Sequence, residues 1–531
     1  MADYNGSSVN RDTTADKNGP SIDRDAIALH YADLNRNQEK RMESAISQLR
    51  VMNNWVKAVL IGLFARQDDD CMDYCSGKGG DMMKWAKAKP RFVSFVDLTY
   101  WSVVESVVRY NKYLDQQYQS LMPGETPAVF HANFVWADVC NDFLMHWFNP
   151  SHTDLNFSLQ SVVRGDYVIE DNDLLKLNVA DIKKTAPGSE ERRKLERAVN
   201  ASMNKLIADP MIFRGWFDFI SCQFAMHYSF ESEFRATRFM QNVASSLKPG
   251  AFFVATVPNR AEIIKRVKAQ YDSDLEQYRL DKAAGNGPEQ PVLHCGSNQL
   301  LDGYTDPESV YGLRFEPHET QPESERVTVD ARGELHVPTF GARYIFRLVD
   351  AIHAIPEYLL PDDDTIDHVI ANSCGMELVD SIPFAELFQM FRTAEKVDIH
   401  DPNARRRCPR TETVANKPLV ELLKLVQSQF SQFESLATNQ FRLPHSIEEF
   451  DQAQWEAITI YKALVFRRKP VGPDQKKRQP ILLNISGSAA FRRAEDIAMV
   501  MGEIPPEKPK KEEQEDGGDD EYGDVDLGGI I

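Results

Sequence analysis

The sequence predicts an α/β domain built around a mostly parallel sheet, and three observations carry that expectation. From residue 71 onward, short apolar runs alternate with amphipathic helical stretches. The first run is followed by a glycine-bearing turn, Ser76-Gly77-Lys78-Gly79-Gly80-Asp81, that leads straight into a helical pattern. The second run ends on an acid, Asp97.

The elements follow in order. Residues 1–24 are polar and Gly/Ser/Asn/Asp-rich, and are expected to be disordered. An amphipathic helical pattern starts at Asp25. Ser44 to Phe64 reads as a helix running towards the core, broken by Asp68-Asp69-Asp70. Cys71 to Cys75 is a strand, Met82 to Ala88 starts a helix, and Arg91 to Leu98 is the second strand. Trp101 to Tyr118 is helical, Val129 to Ala137 is the third strand and Trp216 to Phe224 the fourth. Ser232 to Leu247 is a helix stopped by Lys248-Pro249-Gly250, and Ala251 to Val257 is the fifth strand. Two late strand candidates are Met376 to Ile382 and Ile458 to Arg467. Residues about 141–214 and 272–336 are polar with little clean periodicity, and read as surface insertions, partly disordered. The domain is thus expected over 25–470. Residues 471–531 are basic, then acidic, and read as mostly disordered.

Composition narrows the function classes. The 531 residues carry a net charge of −19, which argues against a protein that coats nucleic acid through a basic surface. Between Glu507 and Asp526 there are ten acids against three lysines, so the rest of the chain is at −12. A localised RNA-end pocket remains compatible with that balance. The N-terminus lacks the charged-then-apolar layout of a signal peptide, and the run Val56 to Ala65 is too short to span a bilayer. The seven cysteines have no Cys-x-x-Cys spacing. They read as reduced, mostly buried thiols rather than metal ligands.

The turn after the first strand carries chemistry. Glycines there remove the Cβ atoms that would keep a nucleotide-like ligand from backbone amides and a helix N-terminus. Asp97 can accept hydrogen bonds from both ribose hydroxyls of an adenosine. The sequence has neither the phosphate-binding G-x-x-x-x-G-K-[ST] nor the dinucleotide G-x-G-x-x-G pattern. A cofactor without phosphates, such as S-adenosylmethionine, suits this turn better.

Five blocks give the pattern a specific resemblance. Asn53-Asn54-Trp55-Val56-Lys57 with Ala58-Val59-Leu60-Ile61, and Gly77-Lys78-Gly79-Gly80-Asp81 with Lys84-Trp85, come first. Ser221-Cys222-Gln223-Phe224 with His227-Tyr228-Ser229-Phe230-Glu231 follows, then Pro356-Glu357-Tyr358, and Trp455-Glu456-Ala457 with Tyr461. In this order, from about Ala28 to Phe466, they resemble the eukaryotic-type mRNA cap guanine-N7 methyltransferases. The resemblance implies a Rossmann-like class I methyltransferase fold with a seven-stranded sheet, and S-adenosylmethionine as cofactor, with S-adenosylhomocysteine as product. It places the cofactor on Lys57, Cys75, Gly77, Asp97, Asp138, Gln223 and Tyr228. It places the cap on Asn53, Asn54, Lys78, Lys84, Arg109, His227, Glu357 and Tyr461. It also implies a capped RNA 5′ end as substrate, an RNA guanylyltransferase or the transcription machinery as partners, and a nuclear location, with the cytoplasm as the alternative.

The expected chemistry needs no acid or base. Guanine N7 already carries a lone pair, so catalysis rests on positioning by Glu357, His227 and Tyr228, an effect worth about 7–11 kcal/mol when geometry is ideal. One residue departs from the family: Cys75 stands where glycine is usual. That departure supports an alternative, a non-catalytic cap-binding or scaffold homologue with an impaired cofactor site.

Overall fold

The computed structural model describes residues 44–122, 127–140, 189–208, 215–283, 292–297, 309–318, 326–395 and 443–472, with short pieces at 27, 30, 124, 143–145, 161–163, 168–170, 185, 321, 323 and 484–486. The expected tail at 1–24, and nearly all of 473–531, lie outside the described residues.

Strands buried on both faces read as continuous apolar runs, and they order the main sheet. Helix α1 (Ser47–Phe64) is followed by β1 (Asp70–Tyr74), α2 (Met82–Ala88), β2 (Phe92–Asp97), α3 (Tyr100–Gln119) and β3 (His131–Trp136). After α4 (Glu190–Ala208) come β4 (Phe217–Gln223), α5 (Glu233–Ser246), β5 (Leu247–Pro258) and α6 (Arg260–Ala283). A second sheet then uses β6 (His294–Gly296), β7 (Tyr311–Phe315), β8 (Arg343–Leu348) and β9 (Ile352–Tyr358). The chain returns through β10 (Met376–Pro383), α7 (Phe384–Glu395), α8 (Gln452–Thr459) and β11 (Tyr461–Arg468).

The main sheet has seven strands in the order β10-β11-β5-β4-β1-β2-β3. Its strands run parallel except β11, which is antiparallel to both β5 and β10. This is the expected Rossmann-like class I methyltransferase sheet. Every residue of β1 is buried. The α1 stripe Met52, Trp55, Val56, Val59 and Leu63 is buried too, with Trp55 edge-on to Phe388 and Phe391 of α7 at 5.9 and 5.7 Å. The tryptophan of the first block is therefore a core residue that fixes α1 against α7.

Four expectations need correction. Residues 272–336 are not simply a surface excursion: α6 runs on to Ala283, and β6 and β7 pair within the second sheet, with Tyr311 and Leu313 in the core. Their apolar positions do alternate, but over runs of only 3 and 5 residues among charges, too short to stand out. Within 141–214, α4 packs on α5, where Gln241 donates to Asn204 at 2.8 Å and Ile207 is buried. The helix before Lys248-Pro249-Gly250 ends at Ser246 as expected, but those three residues already belong to β5, which was expected to begin at Ala251. Ile458 and Thr459, expected in the last strand, close α8 before β11 begins.

The second sheet is antiparallel, in the order β9-β8-β7-β6. Its register places Phe315 opposite Tyr344, and Tyr344 opposite Glu357, so the three side chains share one row and one face. The β8–β9 register shifts between Phe346 and Leu348, close to Ala354, whose φ is 49°. Such bulges re-aim the side chains beyond them, and Glu357 lies three residues on.

Candidate active site

In an open α/β sheet, ligands bind outside the carboxyl ends of the parallel strands. The expected residues gather on that edge. Cys75 and Gly77 follow β1, Asp97 ends β2, Asp138 follows β3 and Gln223 ends β4. Strand β11 runs the other way, so its first residue, Tyr461, lies opposite Pro258 at the end of β5, on the same edge.

The turn after β1 is built by unusual backbone. Gly77 and Gly79 have φ of 54° and 69°. A Cβ on Gly77 would meet nothing within 4 Å, so this residue opens on free space; one on Gly79 would strike Ser106 Oγ at 2.5 Å. Gly77 N–H donates to Asp97 Oδ2 at 2.8 Å, and Thr99 N–H to Oδ1 at 2.8 Å. These two bonds fix the Asp97 carboxylate at the carboxyl end of β2, where a ribose diol would meet an acceptor. Cys75 also sits at positive φ, 60°. Its glycine-like conformation explains why the family uses glycine there: a side chain in that region costs about 1–2 kcal/mol. The neighbouring Cys222 thiol, together with burial, holds the Cys75 thiol well above the usual pKa.

Behind the turn lies a charged network. Asp81 takes Lys57 at 2.8 Å and Lys84 at 2.9 Å, and Lys84 donates to Asn54 at 3.1 Å. Burial works against the Asp81 charge, but the two lysines hold its carboxyl well below the ordinary carboxylate range. Asp73 accepts from Trp85 Nε1 at 3.0 Å, and burial, with Asp81 nearby, pushes its pKa up to about 8. Lys78 pairs with Glu105 of α3 at 2.8 Å, and Arg109 follows one turn later on the same helix face. Of the cations expected at a triphosphate, Lys78 and Lys84 already hold carboxylates, so any phosphate would share them.

The other half of the site is aromatic and acidic. Gln223 is oriented by Ser221 at 2.7 Å and Thr256 at 3.2 Å. Phe224 then turns the chain off β4 with φ of 59°, a left-handed conformation of the strained kind that concentrates at functional sites. The 3₁₀ turn Met226–Glu231 that follows carries His227 and Tyr228, whose ring centroids lie 4.2 Å apart. Glu357 is only 3% exposed. Its Oε1 lies 3.3 Å from Tyr228 Oη and 3.5 Å from His227 Nε2, and its Oε2 accepts from Tyr344 Oη at 2.6 Å. Neither ring nitrogen of His227, nor Asn53 Oδ1, has a hydrogen-bond partner among the described residues, although all three are buried. Buried polar atoms of that kind point to a ligand that supplies the partners. Phe224 meets Tyr461 edge-on at 5.2 Å, which carries the aromatic wall from β4 across β5 to β11. Asp138 lies 3.8 Å from Arg235 and accepts from Cys140 N–H at 3.1 Å.

A family model described as the mRNA (guanine-N(7))-methyltransferase domain matches residues 14–182 and 197–279. Over those residues, just under half of the chain, the sequence is similar to this family. A rice (Oryza sativa subsp. japonica) mRNA cap guanine-N(7) methyltransferase 1 is 25% identical over 452 residues, which is 85% of this chain and 83% of the relative. The Arabidopsis thaliana protein of the same name is 27% identical over 354 residues, 66% of this chain and 65% of the relative. The Drosophila melanogaster mRNA cap guanine-N(7) methyltransferase is 24% identical over 460 residues, 83% of this chain and 76% of its own length.

The matched segments contain every candidate residue from Asn53 to Tyr228, whereas Glu357 and Tyr461 lie beyond them. The case for those two is geometric. The sequence reading also missed Tyr344, Asp73 and Asp81. Tyr344 gives no local signal, because only the β8–β9 register brings it to Glu357. The two aspartates flanked the glycine turn and could have been flagged as partners for the lysines on either side.

Proposed function

We propose that this protein methylates N7 of the guanine cap on RNA 5′ ends, with S-adenosylmethionine as donor and no general base. The observation that supports this most is Glu357, a buried carboxylate held by Tyr344 within reach of Tyr228 and His227. When bound, the cofactor supplies an electrophilic methyl group on a sulfonium. Asp97 fits its ribose hydroxyls, with Lys57, Cys75, Gly77, Asp138, Gln223 and Tyr228 completing its surround. Glu357 accepts from guanine N1–H and N2–H, a bidentate readout worth about 1–3 kcal/mol against a wrong base. His227 and Tyr228 lie beside the purine, where base–aromatic stacking is worth about 1–3 kcal/mol, and Tyr461 closes the wall. Positive charge develops on the guanine as N7 gains the methyl, so the acceptor at Glu357 strengthens towards the transition state. Asn53, Asn54, Lys78, Lys84 and Arg109 form the remainder of the cap side.

The reading is tested with labelled S-adenosylmethionine and an unmethylated GpppN-capped RNA, followed by nuclease digestion. All label should appear as 7-methylguanosine; label on a ribose or an internal base would reject it. The same reading carries association with an RNA guanylyltransferase or the transcription machinery, and action in the nucleus. Among the described residues, no helix is long and apolar enough to cross a membrane.

Cys75 is the observation that favours the scaffold alternative. Replacing it with glycine removes the left-handed penalty of about 1–2 kcal/mol but loosens the unfolded chain by roughly 0.5–1 kcal/mol. Stability of Cys75→Gly should therefore stay within about 1 kcal/mol of wild type by denaturant unfolding. Calorimetric affinity for S-adenosylhomocysteine should rise severalfold. Undetectable cofactor binding in both proteins would favour the scaffold reading.

A further inference from the structure

A groove of about 720 Å³ opens between α6 and the second sheet, on the β6–β7 side rather than at β9, where Glu357 sits. One wall is a single helix stripe, with Tyr271, Leu275, Tyr278 and Lys282 at i, i+4, i+7 and i+11. The other wall includes Val292, Phe315, Val327 and Val329. Lys282 lies 5.4 Å from the Tyr278 ring centroid, and Arg314, also in the lining, is paired with Glu316. Val292, in the lining, is itself 41% exposed. A concave surface that mixes apolar side chains with Lys282, Arg314 and Glu316 suits an occupant that has both apolar anchors and acidic groups.

The chain contains such a segment. From Pro505 to Glu521 there is no aliphatic or aromatic side chain apart from proline. Then comes Tyr522-Gly523-Asp524-Val525-Asp526-Leu527-Gly528-Gly529-Ile530-Ile531. In an extended conformation, Val525 and Leu527 face one side and Asp524 and Asp526 the other. From Glu512 to Ile531 there is no lysine or arginine. This layout, a polar spacer ahead of an apolar-acidic stretch, is that of a tethered ligand. We propose that residues 522–531 dock in this groove, with Val525, Leu527, Ile530 and Ile531 as anchors and the aspartates towards Lys282 and Arg314. Ser486, which pairs with Val168 in a short ladder, and Tyr522 are 36 residues apart. A flexible linker of 36 residues has a span of about 30–36 Å r.m.s.. Tethering on that scale makes the local concentration high enough for weak contacts to hold.

The test uses the full chain and a version lacking residues 522–531. A fluorescein-labelled peptide of residues 519–531 is titrated onto each by anisotropy. The shortened chain should bind it saturably, and the full chain at least tenfold more weakly, because its own segment competes. Leu275→Asp and Lys282→Glu in the shortened chain should each weaken binding at least tenfold. So should a peptide carrying Val525→Asp and Leu527→Asp. Val379→Asp, on exposed β10 surface outside the groove lining, should leave binding unchanged. Lys282 is exposed, so its variant decides the matter if Leu275→Asp does not fold. No saturable binding, or binding that ignores both groove substitutions, overturns the proposal. Equal uptake of an unrelated acidic-apolar peptide also overturns it, and assigns the groove to a separate partner.

Discussion

Glu357→Gln should lower kcat/KM for a GpppN-capped RNA by about 10²–10³, the cost typical of losing one preorganised electrostatic contact. The amide keeps the shape of the side chain, and its oxygen can still accept from Tyr344. It loses the charge, and it turns an NH₂ towards guanine groups that are themselves donors. The wild-type carboxylate is buried against Tyr344, Tyr228 and His227. Removing a charge from such a place need not destabilise the fold, so thermal unfolding should change little. Affinity for S-adenosylhomocysteine should fall by only a few-fold, because the cofactor turn lies at β1 and β2, and Tyr228, which touches both halves, keeps a hydrogen-bond partner in the amide. An inosine cap, which lacks the 2-amino group, gives a sharper readout. Wild type should disfavour it by about 1–3 kcal/mol, and Glu357→Gln should lose most of that discrimination. Wild-type-like turnover by the variant would remove Glu357 from the site.

The main sheet was legible because its physics is local. Strands β1, β2 and β4 are short runs rich in apolar residues, with a few buried polar ones, separated by helices, and each expected position lies within two residues of the observed one. The glycine turn was legible too, since Gly77 and Gly79 adopt backbone conformations that other side chains resist. The second sheet was not, because its strands are short and mix charge with apolar residues, as in Arg343–Leu348. What makes RYIFRL a strand is pairing on both edges, which no window of sequence contains. The guanine side of the site inherits that opacity. Tyr228 and Glu357 are 129 residues apart in sequence yet 3.3 Å apart in space. Only the family resemblance pointed to Glu357, and nothing pointed to the tyrosine that orients it. Cys75 is the reverse case: sequence raised it as a departure, and its φ supplies the physical reason why glycine is the usual occupant.

Asp81→Ala should be the most damaging substitution for stability among the polar residues of the site. Asp81 is the shared partner of Lys57 and Lys84, whose side chains are 19% and 14% exposed. Without it two ammonium groups stay in a largely desolvated space, each opposing the other. Burial, with Lys57 nearby, already lowers the Lys84 pKa despite the attraction of Asp81. Breaking a buried pair by removing one partner costs about 3–5 kcal/mol. The pH dependence separates this cause from simple loss of packing. Asp81 has its folded-state pKa depressed, so its stabilisation is present above the ordinary carboxylate range and fades as pH falls towards the folded value. The wild-type advantage over Asp81→Ala should therefore be full at pH 7 and shrink in strongly acid solution. Asp73 works in the opposite sense: its folded pKa of about 8 means that burying it costs progressively more from pH 4 to 8. Asp73→Asn, which can still accept from Trp85, should accordingly gain on wild type as pH rises through that window. A loss in Asp81→Ala that does not vary with pH would mean that the carboxylate acts through shape, and that the lysines are held by something other than its charge.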